Sequence, residues 1–181
     1  MGHTTRHGML LAACLALLAP GSVCAGPQED YDQGYAAYRG GDVVSAIRLL
    51  KRAADAGHVE AQLQVGYIYD WSEENEDAVK YYRMAADSGD ARGQFGLALL
   101  YANGEGVARD DSQAVELLQA AARQGHAQAH AALGNAYLDG KLGLGADPAK
   151  AREHLEEALE RGFEEARRGL AELDRRAQEA R

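Results

Sequence analysis

Small apolar residues return along this chain at a fixed spacing. The string Ala-x6-Ala-(Ala/Leu)-x2-Gly occurs as Ala46, Ala53, Ala54 and Gly57, then as Ala78, Ala85, Ala86 and Gly89. It comes back as Ala114, Ala121, Ala122 and Gly125, and finally as Ala151, Ala158, Leu159 and Gly162. Successive copies are 32, 36 and 37 residues apart, a period typical of helical-repeat arrays. Seven residues is close to two helical turns, so the paired alanines share one stripe, and their short side chains let a neighbouring backbone approach. Four positions after each Gly stands another small residue: Ala61, Gly93, Ala129 or Ala166. In three copies a Tyr follows eight positions later, at Tyr69, Tyr101 and Tyr137, and Asp174 takes that place in the fourth.

The four glycines stand where a helix ends in a left-handed residue, a conformation Gly adopts without a Cβ penalty. Asp42, Asp111 and Asp147 are placed to cap helix starts, and Pro148 fits a first helical position, where its missing N–H costs nothing. The patterning predicts helices at roughly 29–39, 43–56, 59–70, 75–88, 91–102, 111–124, 127–139, 148–161 and 164–179. No segment shows sustained strand alternation, so the expectation is four helical pairs and a closing helix.

The run Ala121-Ala122-Arg-Gln-Gly125-His-Ala-Gln-Ala129-His-Ala-Ala-Leu133-Gly134-Asn-Ala-Tyr137 and the loop Tyr101-Ala-Asn-Gly104-Glu-Gly106-Val107 resemble the Sel-one-like repeat (SLR) family, a branch of the tetratricopeptide-type helical repeats. The resemblance covers nearly the whole chain after residue 25. It implies an all-α fold, a right-handed α-solenoid of about four helix-turn-helix repeats plus a C-terminal capping helix, in which the first helix of each pair lines a concave face. Some positions depart from the family pattern. Asp70 to Glu76 replaces the Gly-rich turn with a shorter acidic link containing Trp71. Asp174 and the charged run Arg175 to Arg181 fit a polar terminal cap, so the array is expected to begin near Pro27 and end inside this chain.

By the same resemblance the inner positions are Tyr31, Tyr35 and Tyr38, then Leu63, Tyr67, Asp70 and Trp71, then Arg92, Phe95 and Leu99, and last Ala131, Asn135 and Leu138. Tyr31, Tyr35 and Tyr38 follow i, i+4, i+7 and share a helix face whatever the family. Tyr31, Tyr35, Tyr38, Tyr67, Trp71, Phe95 and Asn135 are therefore the candidate binding residues. Aromatic rings with polar handles suit a protein or peptide lying in the groove. The competing reading is that several of these rings fill the packing between terminal helices. Tyr69, Tyr101 and Tyr137 recur at one repeat position and read as structural.

The first 25 residues have a different character. One Arg and no acid precede an apolar run from Leu10 to Ala19; Pro20 and Gly21 break it, and Val23, Cys24 and Ala25 give a small-x-small pattern. This is the signature of a signal peptide cut after Ala25, leaving 26–181 as one repeat domain in the periplasm or outside the cell. The apolar run is about half of the roughly 20 residues a membrane-spanning helix needs. Leu11 to Cys14 also spells a lipobox, but acylation there would strand Leu15 to Leu18. With the leader removed, no Cys remains and 18 basic residues face 28 acidic ones, a net charge of −10. That balance, without clustered Lys and Arg outside the mixed helical tail, argues against nucleic acid.

Candidate chemistry is sparse. His126 and His130 stand i, i+4, a spacing that can hold a metal, but no Glu lies between them and no third ligand is evident. Gly104-Glu-Gly106 reads as a turn rather than a phosphate loop. Ser45, Ser72, Ser88 and Ser112 lack a Gly-x-Ser-x-Gly elbow. The expectation is thus an exported, non-enzymatic scaffold or adaptor, a monomer without cofactor, assisting an envelope or secreted complex. The alternative is a binder or hydrolase of β-lactam or cell-wall compounds, as the resemblance to some secreted SLR proteins implies, although those are rich in paired cysteines.

Overall fold

Helix ends in this chain are written into short polar side chains, and they hold in the computed structural model, which describes residues 26–180. The proposed leader and its cleavage site lie outside the described residues. The described residues form α1 (Pro27–Arg39), α2 (Val43–Asp55), α3 (Val59–Trp71), α4 (Asn75–Asp87), α5 (Ala91–Asn103), α6 (Asp111–Arg123), α7 (Ala127–Asp139), α8 (Pro148–Glu160) and α9 (Ala166–Glu179), with no strand among them. Asp42 accepts the Ser45 N–H at the start of α2, and Asp147 accepts those of Ala149 and Lys150 at the start of α8. One expected cap is corrected: Asp110, not Asp111, opens α6. Asp110 has the extended backbone a cap requires and accepts the N–H groups of Ser112 and Gln113. Asp111 is already helical and pairs with Arg109 instead.

The repeated Ala-Ala-x2-Gly string closes each unit. In α2, Gly57 (φ 90°) donates its N–H to the Ala54 carbonyl at 3.0 Å and His58 donates to Ala53 at 3.0 Å, the paired bonds of a Schellman ending. The pattern repeats with Gly89 and Asp90 onto Ala86 and Ala85, with Gly125 and His126 onto Ala122 and Ala121, and with Gly162 and Phe163 onto Leu159 and Ala158. In the first three copies the residue after the Gly then caps the next helix. His58 Nδ1 accepts from Ala61, an Asp90 oxygen from Arg92, and His126 Nδ1 from Ala129. One residue thus ends one helix and starts another.

Packing follows the chain order, each helix lying against those before and after it, with α9 also touching α7. A large side chain four residues after the first Ala of each string, Leu50, Tyr82, Leu118 or Leu155, is buried in every unit. It presses into bare backbone on the flanking helices: Leu50 on Gly34, Tyr82 on Gly66 and Gly96, and Leu155 on Gly134 and Gly169. Three clusters result, one spanning α2 to α5, one joining α5 to α7, and one joining α7 to α9. Lys51 and Arg83 each donate to the recurring tyrosine of the next helix, Tyr69 at 3.0 Å and Tyr101 at 2.9 Å, so these tyrosines bind neighbouring units together.

Candidate functional site

The helices α1, α3, α5 and α7 carry equivalent positions along one side of the array, and these positions separate into two rows. Tyr31, Leu63, Phe95 and Ala131 form one row. Tyr31 stacks on His58 with centroids 4.5 Å apart, and Phe95 stacks on His126 at 4.8 Å. Each ring thus covers the cap of the next unit's helix and packs against the core. Ala131 is buried. The other row is Tyr35, Tyr67, Leu99 and Asn135. Tyr35 is 40 % exposed, Tyr67 55 % and Leu99 39 %, and Asn135 is exposed as well. Tyr38 and Trp71 stand beside this row, Trp71 being 76 % exposed.

Of the seven candidates, therefore, Tyr31 and Phe95 belong to seams between units. Tyr35, Tyr38, Tyr67 and Trp71 gather on the accessible side of α1 and α3. Asn135 lies apart from them, its oxygen close to Gly169 on α9. Among the described residues the exposed large apolar side chains are Tyr35, Tyr38, Val43, Val44, Tyr67, Trp71 and Leu99, all in the N-terminal half.

Between the ends of α1 and α3 and the start of α2 lies a hollow of about 340 Å3, lined by Tyr38, Val43, Ile47, Tyr67, Ile68, Trp71 and Glu74 among others. A second hollow, about 400 Å3, is lined by Glu73, Glu74, Asn75, Glu76, Asp77 and Gly106. The two share Glu74, so an aromatic recess and an acidic one adjoin at the α3–α4 link. The link turns on Glu73, which has a positive φ of 61°, and Gly106 packs so closely on Asn75 that a Cβ would not fit. Burial, followed by the nearby Glu105 charge, raises the Asp70 carboxyl above its usual range.

Histidine placement was only half legible in sequence. His126 Nδ1 is used by its cap, and its partner at i+4, His130, turns elsewhere. His130 Nε2 faces the Ala122 carbonyl at 3.0 Å and its Nδ1 faces Nδ1 of His154 at 3.2 Å. A carbonyl only accepts, so Nε2 of His130 carries the hydrogen and, in the neutral ring, Nδ1 accepts from His154. Tyr137 stacks on His154 within 6° of parallel. Burial, and then the neighbouring His130, push the His154 pKa down. At the equivalent place two units earlier, Gln62 donates to the Ala54 carbonyl, so His130 does a scaffold task. Among the described residues no group of three or more His, Cys, Asp or Glu side chains is arranged to hold a metal, and no helix is long and apolar enough to cross a membrane.

Comparison with known proteins agrees with this architecture. The Sel1 repeat model matches residues 29–58, 59–90, 91–126 and 127–163. DAP3-binding cell death enhancer 1 of Rattus norvegicus is 39 % identical over 83 residues, covering 45 % of this chain and 16 % of that protein. Chitin synthase regulatory factor 4 of Schizosaccharomyces pombe is 30 % identical over 144 residues, covering 76 % of this chain and 22 % of that one. The chain thus spans less than a quarter of either relative. Among solved structures, a Sel1 repeat protein from Oxalobacter formigenes superposes with TM-score 0.73 at 31 % identity, over 78 % of this chain and 43 % of that chain. A protective antigen of uropathogenic Escherichia coli displaying an SLR fold gives TM-score 0.76 at 26 % identity, over 83 % of this chain and 34 % of that chain. With four consecutive repeat matches and this helical register, the chain belongs to the Sel1 repeat family.

Proposed function

We propose that this protein is an exported scaffold that docks a protein or peptide partner on the exposed row Tyr35, Tyr67 and Leu99, with Tyr38 and Trp71 beside it. The observation that carries the reading is that, among the described residues, the large exposed apolar side chains are confined to the N-terminal half. Contiguous apolar area left in water marks an interaction site more often than an accident of folding, and Tyr and Trp are the residues most often found at the energetic centre of an interface. The relatives named for DAP3 binding and for chitin synthase regulation act through other proteins by their names, which supports an adaptor role here. Export rests on the leader-like residues 1–25, and it places the partner in the periplasm or beyond the cell.

Replacing Tyr35 and Tyr67 together by Ala tests the docking row. The expected outcome is weaker capture of the envelope partner in a pull-down with a melting temperature close to wild type. Loss of folding with unchanged affinity per folded molecule would refute it. Intact mass of the protein recovered from the periplasm checks export, with cleavage between Ala25 and Gly26 as the expected result and a diacylglycerol adduct on Cys14 as the contrary one.

A further inference from the structure

The link between α3 and α4 joins an aromatic recess to a set of carboxylates. Around it stand Asp70, Glu73, Glu76, Asp77 and Glu105; among the described residues none of them is in a salt bridge, and Lys51 feels the Asp77 charge from a distance. Many acids elsewhere in the chain are paired, although some, such as Asp87, Glu153, Glu160 and Glu165, are not. Asp139, Glu156, Glu157, Glu164, Glu172, Asp174 and Glu179 are all paired with Arg or Lys, and so are Asp55, Glu60 and Asp90. At the link, four acids line one hollow with no base among them. Asp70, half-buried on α3, has its carboxyl raised by that burial and by Glu105, the signature of a site that an incoming cation would relieve.

We propose that the α3–α4 link binds a short segment of a protein partner in which an apolar or aromatic side chain is followed by Lys or Arg. The apolar side chain fills the recess between Tyr38, Tyr67 and Trp71, and the cations that follow it lie against Glu73, Glu76 and Asp77 in the adjoining acidic hollow. This deepens the docking reading above and rests on it. Three observations converge on this occupant. The first recess is walled by rings and branched aliphatic side chains and has Glu74 as its carboxylate, so it takes apolar matter and tolerates a nearby positive charge. Its neighbour is lined by four acids and no base, and it shares Glu74 with the first. Charge complementarity across such a pair favours a basic segment, steers its approach and disfavours an acidic one. Exposed aromatic faces beside the acids add cation–π attraction for the same head groups.

Trp71 is the sole tryptophan of the chain and sits in the recess, so its own fluorescence reports occupancy. The test titrates the protein with acetylated, amidated peptides carrying Phe-Lys-Lys, Phe-Glu-Glu or Gly-Lys-Lys between glycine spacers. Phe-Lys-Lys is expected to change Trp71 emission saturably, to weaken as salt is raised, and to bind at least about tenfold more tightly than either other peptide, the scale expected of a few exposed ion pairs acting together. Glu73→Gln combined with Glu76→Gln should reduce that affinity several-fold, while Asp77 keeps an acid in the first turn of α4 and the melting curve stays in place. Equal binding of Phe-Glu-Glu, or no effect of the double substitution, would overturn the charge pairing and leave the docking row standing. Saturable binding of all three peptides that survives Trp71→Ala, read by anisotropy of labelled peptides, would place the contact elsewhere and overturn both. Absence of any binding would overturn the inference, leaving the row to be judged by its pull-down.

Discussion

The Tyr82 ring lies flat against the backbone of Gly66, so close that a Cβ on Gly66 would fall 2.8 Å from Cδ1 of the ring. The same ring touches Gly96 on the other side, so it is held between α3 and α5 and cannot swing away. Gly66→Ala should therefore overpack this seam and cost about 1–3 kcal/mol, measured by urea unfolding. Gly26→Ala, where a Cβ meets open space, should cost far less.

Ala121 is fully buried, and its carbonyl receives the His126 N–H that closes the unit. Ala121→Leu should likewise cost about 1–3 kcal/mol. A melting curve superposable on wild type would mean that the stripe is not packed as described.

The cap on α7 should make stability depend on pH in a defined direction. His126 accepts the Ala129 N–H through Nδ1 and must be unprotonated there to do so. Burial depresses its pKa below the ordinary value of 6.5. The unfolded chain takes up its proton near pH ~6.5, before the folded one does, so stability is complete above that pH and is lost as pH falls through the folded pKa. Thermal melts between pH 7.5 and 5 should show this decline. His126→Asp, whose carboxylate caps and titrates at lower pH, should flatten it, and equal slopes would show that the cap is not the titrating element.

Arg176 ties α9 to the end of α7, donating to the Leu138 carbonyl at 2.8 Å and to Asp139 at 3.0 Å. Arg176→Ala should loosen α9 by removing both bonds. Hydrogen exchange should then quicken across residues 166–179 and stay unchanged in α2 to α5.

A good part of the array was readable from sequence because glycine and alanine constrain backbone geometry. A Gly fixed in the left-handed region four residues before a small residue has few structural uses, and Gly57, Gly89, Gly125 and Gly162 all play the same one. Adjacent acids were harder. Asp110 and Asp111 are chemically alike, and only the extended backbone at Asp110 decides which one caps. The aromatic face was legible as a set but not residue by residue, since spacing alone cannot say that Tyr31 and Phe95 turn onto the histidines of the next unit while Tyr35 and Tyr67 do not. The contact between His130 and His154 joins residues 24 apart on the two helices of one unit, beyond any local period.

The double duty of His58, Asp90 and His126 has a consequence for how such a chain can change. A residue that must finish one helix and begin the next leaves no room for insertion, so the joints 56–58, 88–90 and 124–126 are all three residues long. The links inside units carry no such restriction: residues 40–42 and 72–74 are brief, whereas 104–110 and 140–147 are long. Drift in length is thereby channelled to one rim of the molecule. The rim can acquire new contours, acidic in one unit and glycine-rich in the next, while those three joints keep their length.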